Sequence, residues 1–264
     1  MTSSSPRVLR TLLAVLTGSA LLLFLLPLLG ILFAAPWSRL IELLASGPVH
    51  DALLLSLVSS LGAVAIAVVL GLPLAHWLAS GESVLRQSAR IVVTLPIVLP
   101  PIVAGIALLL AFGRQGLVGR CLADWFGVTI PFSTSAIVIA AAYMGLPFFV
   151  LSAEAGLRAL DRRYLHAAAA LGAGPWRRGW YVTLPMIAPA LRTGALLCWA
   201  RALGEFCATQ MFAGNLAGET RTLPLACAVA MEVDPELAIG LSLVLATSSI
   251  VVLALLRRGW ILPR

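Results

Sequence analysis

The chain is dominated by apolar segments that are each long enough to cross a lipid bilayer. A membrane-spanning helix needs about 20 consecutive, mostly apolar residues. Six segments meet that requirement: 11–33, 52–78, 91–112, 132–152, 184–212 and 237–256. Only 11% of the residues are charged, whereas a soluble domain carries about a quarter. The sequence therefore predicts an all-α, multi-pass membrane protein with one transmembrane domain over residues 1–264.

The first apolar segment is predicted to be a retained helix and not a signal peptide. The apolar core of a signal peptide spans about 7–15 residues. The uncharged stretch here runs from Thr11 to Trp37 and is much longer.

The placement of the arginines predicts the orientation in the membrane, because basic residues concentrate in cytoplasmic loops. With the N-terminus in the cytoplasm, twelve of the 18 arginines lie on the cytoplasmic side and four lie outside. The other two, Arg192 and Arg201, fall within the fifth segment. Both termini are therefore predicted to be cytoplasmic. The protein itself is predicted to lie in the inner membrane. The same distribution explains the net charge of +7 without any nucleic-acid partner.

The residue types present exclude several kinds of chemistry. All 18 basic residues are arginine, so the lysine of a phosphate-binding P-loop is missing. The histidines and cysteines do not have the spacing of metal ligands. We therefore expect no catalytic residue, no metal and no cofactor on this chain, and any ATP must be hydrolysed by another subunit.

The second segment carries small residues on one helical face, which favours close packing of another helix in lipid. These residues are Ser59, Ala63, Ala67 and Gly71. Prolines interrupt the third and fourth segments at Pro96, Pro100, Pro101 and Pro147. Such breaks are tolerated where protein or a water-filled cavity satisfies the freed backbone groups. The pattern favours a transporter over a simple anchor.

The longest cytoplasmic loop, residues 153–183, is predicted to contain a short alanine-rich helix that ends at a Gly-Ala-Gly-Pro break. Small residues at Ala167, Ala168 and Gly172 leave a shallow surface that could dock into a groove of another protein. An ordinary loop helix without a partner is an equally good interpretation of these residues alone.

This loop resembles the E-A-A-x-x-x-G-x₉-I-x-L-P motif of the permease subunits of ABC importers. The positions that correspond to the motif region are His166, Ala167, Ala168, Leu171, Gly172, Val182, Leu184 and Pro185. His166 stands where the family usually has glutamate. The resemblance implies that residues 158–183 form the coupling loop that sits in a cleft of the ATP-binding subunit.

The resemblance extends to both sides of the loop. Residues 95–101 and 105–113 are similar to the third helix of molybdate permeases. Residues 200–209, 211–215 and 219–224 are similar to their fifth helix and the loop that follows it. Cys207 replaces a glycine that is usual in that family. The resemblance implies a type I ABC importer permease that transports molybdate, with tungstate left open. A sulfate or thiosulfate permease is the alternative, although those proteins more typically have tyrosine where Phe206 stands.

The same resemblance implies the partners. These are an ATPase subunit that uses ATP and Mg²⁺, a second copy of this chain, membrane lipid, and an extracytoplasmic oxyanion-binding protein. The external loop at residues 214–235 would receive the binding protein. Two copies of the chain would then alternate between inward-open and outward-open states.

Arg201 and Glu205 lie four residues apart in the fifth segment, within ion-pairing reach on a helix. Each would cost about 2.5–3.5 kcal/mol if it faced lipid unpaired. Both should therefore face the protein interior, the dimer axis or a water-filled path. Either the pair fixes helix packing, or Arg201 screens an oxyanion in a translocation path that also includes Thr209. A membrane enzyme would need more clustered ionisable groups. A secondary transporter would show inverted repeats, and none is visible.

Overall fold

The computed structural model describes residues 6–260, and every regular element in that range is helical. The all-α prediction is confirmed. In chain order the helices are α1 (Pro6–Ala34), α2 (Leu40–Leu44), α3 (Gly47–Ala79), α4 (Val84–Val98), α5 (Pro101–Phe112), α6 (Gly119–Phe126), α7 (Thr134–Ala159), α8 (Arg162–Ala170), α9 (Pro175–Arg178), α10 (Leu184–Leu203), α11 (Cys207–Ala213), α12 (Leu223–Val233) and α13 (Pro235–Trp260). A π-helical turn, Gly179–Thr183, joins α9 to α10.

Among residues 6–260, five helical stretches are long and apolar enough to cross a membrane individually. Four of them are α1, α3, α7 and α13, which correspond to the first, second, fourth and sixth predicted segments. Each of these helices runs past the C-terminal end of its predicted segment. The fifth stretch runs from α9 into α10.

The third predicted segment, 91–112, is wrong as a single helix. It is divided between α4 and α5, whose axes differ by 118°. The break falls at Pro100–Pro101, where two successive residues lack a backbone N–H donor. The amide of Leu99 closes α4 by bonding to Leu95, and the carbonyl of Pro100 accepts from Val103 to start α5.

Helices α3 and α7 pack closely and run parallel. A Cβ atom built on Gly62 would lie 3.1 Å from Val138, and one built on Gly71 would lie 2.8 Å from Phe149. The predicted stripe of small residues on α3 is buried at this contact. Because both helices cross the membrane in the same direction, the chain between them must also cross it. Helices α4 and α5 together therefore make the sixth crossing.

Helix α7 lies in the centre of the bundle, between α3 and α10. In its apolar window 61% of the residues are buried, whereas the corresponding share for α1 is 0%. A Cβ atom on Gly145 would meet Cys198, and one on Gly194 would meet Ser152. The contacting residues run in opposite directions along the two helices, so α10 is antiparallel to α7. Helix α1 presents its apolar side chains to the surroundings.

The fifth predicted segment, 184–212, is also wrong as one continuous helix. Helix α10 ends at Leu203, and α11 starts at Cys207 after a break at residues 204–206. The external region 214–235, predicted as a loop, contains α12. Its 11 residues are too few to span a bilayer. The amide of Leu223 at the start of α12 donates to the hydroxyl of Ser56 at 2.7 Å, which ties α12 to α3.

Candidate functional site

Helix α8 is the short alanine-rich helix that the sequence predicts in the cytoplasmic loop. Asp161 forms its N-cap: Oδ1 accepts the Arg163 amide at 2.9 Å, and Oδ2 accepts from Arg163 Nε at 2.8 Å. These hydrogen bonds, first the one from the Arg163 side chain and then the one from its backbone, lower the pKa of the Asp161 carboxyl below its usual value. The charged form of the cap is therefore favoured.

The C-terminus of α8 ends in a Schellman motif. The amide of Gly172 donates to Ala169 at 2.9 Å, and the amide of Ala173 donates to Ala168 at 3.0 Å. Gly172 has a φ of +79°, a left-handed conformation that disfavours any residue with a Cβ. A Cβ atom at this position would meet nothing within 4 Å. The glycine is therefore required by backbone conformation and not by space.

Helix α8 lies at the edge of the bundle and is largely exposed. None of its residues is buried. His166 and Ala167 are exposed, Ala168 is half-buried, and the apolar side chain of Leu171 is 89% exposed. A capped helix with an exposed leucine and small side chains is suited to insertion into a groove of another protein.

The second half of the sequence motif lies where the loop returns to the membrane. Val182 lies in the π-helical turn, and Leu184 and Pro185 form the first turn of α10. Proline is well tolerated there because the first amides of a helix have no partner within it. The structure places the two halves of the motif at opposite ends of one loop. A cavity lined by His166 and Thr183 connects them.

Sequence reasoning missed a charged cluster beside this loop. Glu154 of α7 is 4% exposed and accepts from Nη2 of Arg90 at 2.7 Å and from Nε of Arg158 at 2.8 Å. Arg158 also contacts Glu82 at 2.5 Å and donates to the carbonyl of Leu78 at 3.1 Å. The cluster joins the cytoplasmic ends of α3, α4 and α7. The i,i+4 spacing of Glu154 and Arg158 was its only signal in the sequence.

The predicted pair Arg201 and Glu205 is present at the break after α10. Nη1 of Arg201 lies 2.5 Å from Oε2 of Glu205, whose residue is 3% exposed. The expectation that both residues share one helical face is wrong, because α10 ends at Leu203. The other oxygen of Glu205 accepts the Ala208 amide at 2.8 Å and so caps α11. One carboxylate thus joins the end of one helix to the start of the next.

Thr209 lies in α11, one turn beyond Glu205. Its residue is 1% exposed, and its hydroxyl has no hydrogen-bond partner among the residues that the structure describes. Within the same residues, no group of three or more His, Cys, Asp and Glu side chains could hold a metal ion.

The geometry above is that of a membrane-embedded transport subunit, with crossing helices around α7 and an exposed cytoplasmic helix. A family model described as "Binding-protein-dependent transport system inner membrane component" matches residues 67–264. The chain belongs to this family, and it is a multi-pass protein of the inner membrane.

Three similar proteins are named as permease proteins of transport systems. The molybdenum transport system permease protein ModB of Mycobacterium bovis is 44% identical over 220 residues, which are 83% of each chain. The ModB protein of Escherichia coli K12 is 47% identical over 135 residues, which are 51% of this chain and 59% of that protein. The probable transport system permease protein NifC of Clostridium pasteurianum is 32% identical over 95% of this chain and 88% of its own.

Solved structures support the fold. A chain of a bacterial alginate ABC transporter, in complex with its alginate-bound periplasmic protein, aligns with a TM-score of 0.73. That alignment has 14% identity and covers 96% of this chain and 92% of that chain. A chain of the MetNI methionine ABC transporter in an inward-facing conformation aligns with a TM-score of 0.62. It is 18% identical and covers 83% of this chain and all of that chain. The type I ABC importer fold that the sequence predicts is confirmed.

Proposed function

We propose that this chain is the permease subunit of an ATP-driven importer of molybdate. The observation that carries the proposal is the 44% identity to a molybdenum transport permease over 83% of both chains. Residues 95–113 and 200–215, where the sequence resembles molybdate permeases, support the same substrate. The chain is not itself an enzyme; a separate ATPase subunit binds ATP and Mg²⁺.

In the proposed mechanism α8 is the element that contacts the ATPase. None of its residues is buried, it is capped at both ends, and it carries a small-residue surface next to Leu171. When two ATPase subunits close on ATP, a helix held in their groove moves with them. The motion reaches the transmembrane helices through α7, which ends at Ala159, two residues before the N-cap of α8.

The Glu154 cluster is the proposed route of transmission to the neighbouring helices. Arg158 stands one turn from the start of α8 and binds both Glu154 and the end of α3. Arg90 attaches α4 to the same carboxylate. Movement at α8 would therefore displace three helix ends together, as alternating access requires.

The break after α10 is the proposed location of the translocation path. Arg201 is 26% exposed in its side chain while Glu205 is buried. A guanidinium that is already paired attracts an oxyanion without holding it tightly, and conduction requires weak binding. The path would lie between two copies of this chain, and a binding protein would deliver molybdate at the external region 214–235.

The docking role of α8 can be tested with two substitutions at one position. Gly172→Ala and Gly172→Trp share the same backbone strain and differ in bulk, and a Cβ there meets nothing within the chain. In transporter assembled with its ATPase, we expect the Trp variant to lose most binding-protein-stimulated ATP hydrolysis while the Ala variant keeps a larger share. Equal activity in the two variants would contradict docking at this surface.

The substrate can be tested by uptake into proteoliposomes that contain the permease, its ATPase and its binding protein. We expect labelled molybdate uptake that excess tungstate reduces and excess sulfate leaves unchanged. Equal competition by sulfate would instead identify the chain as a sulfate or thiosulfate permease. Normal molybdate uptake in cells that lack this chain, at limiting supply, would also refute the proposal.

A further inference from the structure

A cavity of about 480 Å³ lies between α8 and the cytoplasmic ends of α3 and α7. Its lining includes basic side chains from four elements. They are His76 of α3, Arg158 of α7, Arg162 and His166 of α8, and Arg178 of α9. Among the residues that the structure describes, neither Asp nor Glu lines it. The cavity is separate from the break after α10 and lies on the cytoplasmic side.

The carboxylates that adjoin the lining residues are already neutralised by arginines. Glu154 and Glu82 both pair with Arg158. Asp161 pairs with Arg163 and caps α8. The charge of Arg158 is thus compensated. Because these carboxylates are already engaged, none of them pairs with the other cations in the lining.

Arg162 and Arg178 are those uncompensated cations. Within residues 6–260, neither guanidinium makes an ion pair or a side-chain hydrogen bond. The Nε atom of Arg178 is buried from solvent and has no acceptor. Leaving a buried donor unsatisfied costs free energy, and for a charged donor the cost is larger. Nη1 and Nη2 of Arg178 are not buried in this way, so they are the donors that a ligand in the cavity can reach.

We infer that this cavity binds a tetrahedral oxyanion from the cytoplasmic side. Planar guanidinium groups donate paired hydrogen bonds to oxyanions such as phosphate, and Arg162 and Arg178 approach the cavity from two different helices. His76 and His166 add nitrogen donors. The volume of about 480 Å³ is ample for such an anion together with water.

His166 distinguishes this cavity from the one that the usual family motif would form. It stands where the family motif usually has glutamate, and a carboxylate at this position would repel an anion in the cavity. The residue is exposed on α8 and lines the cavity. The departure from the motif and the unpaired arginines therefore indicate the same ligand chemistry.

Binding at this site would restrain α8. An anion held by Arg162 and Arg178 connects α8 to α9, and contact with His76 connects both to the end of α3. Two sources supply this chemistry: a free oxyanion of the cytosol, or the phosphate of an anionic lipid headgroup. The inference concerns the cytoplasmic site and is independent of which anion the transporter imports.

The experiment compares Arg178→Gln and Arg162→Gln with Arg177→Gln, a matched control. Arg177 is the exposed neighbour on α9 and is not part of the cavity lining. The permease is assembled with its ATPase in nanodiscs of zwitterionic lipid, and molybdate, sulfate and phosphate are titrated by calorimetry. In parallel, native mass spectrometry measures retention of phosphatidylglycerol by the purified assembly. A size-exclusion profile matching that of the wild type establishes that each variant is folded.

We expect saturable binding of a free oxyanion that weakens about tenfold or more in each cavity variant, as loss of a charged hydrogen bond predicts. The Arg177→Gln control should bind as the wild type does. If only lipid retention shows this dependence on Arg162 and Arg178, the headgroup is the source and the site is still supported. Binding that all variants share, or the absence of both kinds of binding, would overturn the inference. A third outcome would also overturn the inference: the permease alone binds the anion, but adding the ATPase abolishes binding in every nucleotide state. The ATPase would then occupy the cavity.

Discussion

Glu154 and Arg158 lie four residues apart in α7, and Nε of the arginine is 2.8 Å from Oε1 of the carboxylate. This pair is the centre of the cluster at the cytoplasmic ends of α3, α4 and α7. Because Glu154 is 4% exposed, its charge depends on Arg158 and Arg90 for compensation. The cluster stands directly before the N-cap of α8, so its integrity should affect both stability and coupling.

Replacing Glu154 with glutamine should destabilise the protein by about 1–3 kcal/mol, because Arg90 loses its closest acceptor and two charged hydrogen bonds are weakened. The melting temperature of the detergent-purified chain should fall. Glu82→Gln is the matched control, since that side chain is 57% exposed and its pair with Arg158 is screened by solvent. Equal effects of the two substitutions would contradict a central role for Glu154.

Replacing Gly172 with alanine should weaken the end of α8 by about 1–2 kcal/mol, the cost of a left-handed conformation for a residue with a Cβ. Hydrogen exchange at the amides of residues 169–173 should speed up. Gly174→Ala provides the comparison, because Gly174 has a φ of −66° and open space around it. Similar exchange in both variants would mean that the positive φ at Gly172 does not limit the end of the helix.

Replacing Asp161 with alanine should destabilise the first turn of α8 by about 1 kcal/mol, the typical cost of losing an N-cap. Asp161→Asn should stay close to the wild type, because asparagine caps equally well and the lost partner, Arg163, is exposed. Hydrogen exchange at the first turn of α8 measures the difference. A large effect of the asparagine variant would show that the charge matters more than the cap.

The lowered pKa of Asp161 also predicts how the cap depends on pH. The stabilisation is complete above the ordinary aspartate pKa of 3.8 and is lost as the pH falls through the lower pKa of the folded state. Exchange rates at α8, corrected for intrinsic chemistry, should therefore be constant between about pH 5 and 7. A loss of protection within that range in the wild type would contradict the assignment.

The sequence predicted the helical class and the short helix in the cytoplasmic loop, but not the path of the chain at the breaks. Apolar length alone cannot distinguish a straight span from two helices that meet at an angle. The prolines at 100 and 101 signalled a break in the third span, yet their bend of 118° depends on packing against α7 and α11. The break at Gly204 had a weaker signal, since glycine is common in membrane helices.

The candidate site was predictable only where its residues are close in sequence. The alanines and glycine of α8 and the pair at Arg201 and Glu205 follow local spacing. Arg90 and His76 are distant in sequence from the groups that surround them. Their roles in the Glu154 cluster and in the cytoplasmic cavity therefore emerge only when the helix ends are brought together.

Substitutions at Arg201 and Glu205 separate the two interpretations of that pair. Arg201→Ala should be the more destabilising single change, because it leaves a carboxylate that is 3% exposed without its counter-ion. Glu205→Gln keeps an oxygen that can accept the Ala208 amide and so preserves the cap of α11. The double variant removes both charges and should recover most of the lost stability, by about 2 kcal/mol or more relative to Arg201→Ala.

Molybdate uptake by the double variant then decides the role of Arg201. If the pair only fixes helix packing, uptake should return together with the melting temperature. If Arg201 screens the anion in the path, uptake should stay low although stability is restored. Among the described residues, Arg201 is the only cation that pairs with Glu205, so no second cation there can replace it. The second outcome is expected from the partial exposure of the Arg201 side chain, which is 26% while that of Glu205 is 2%.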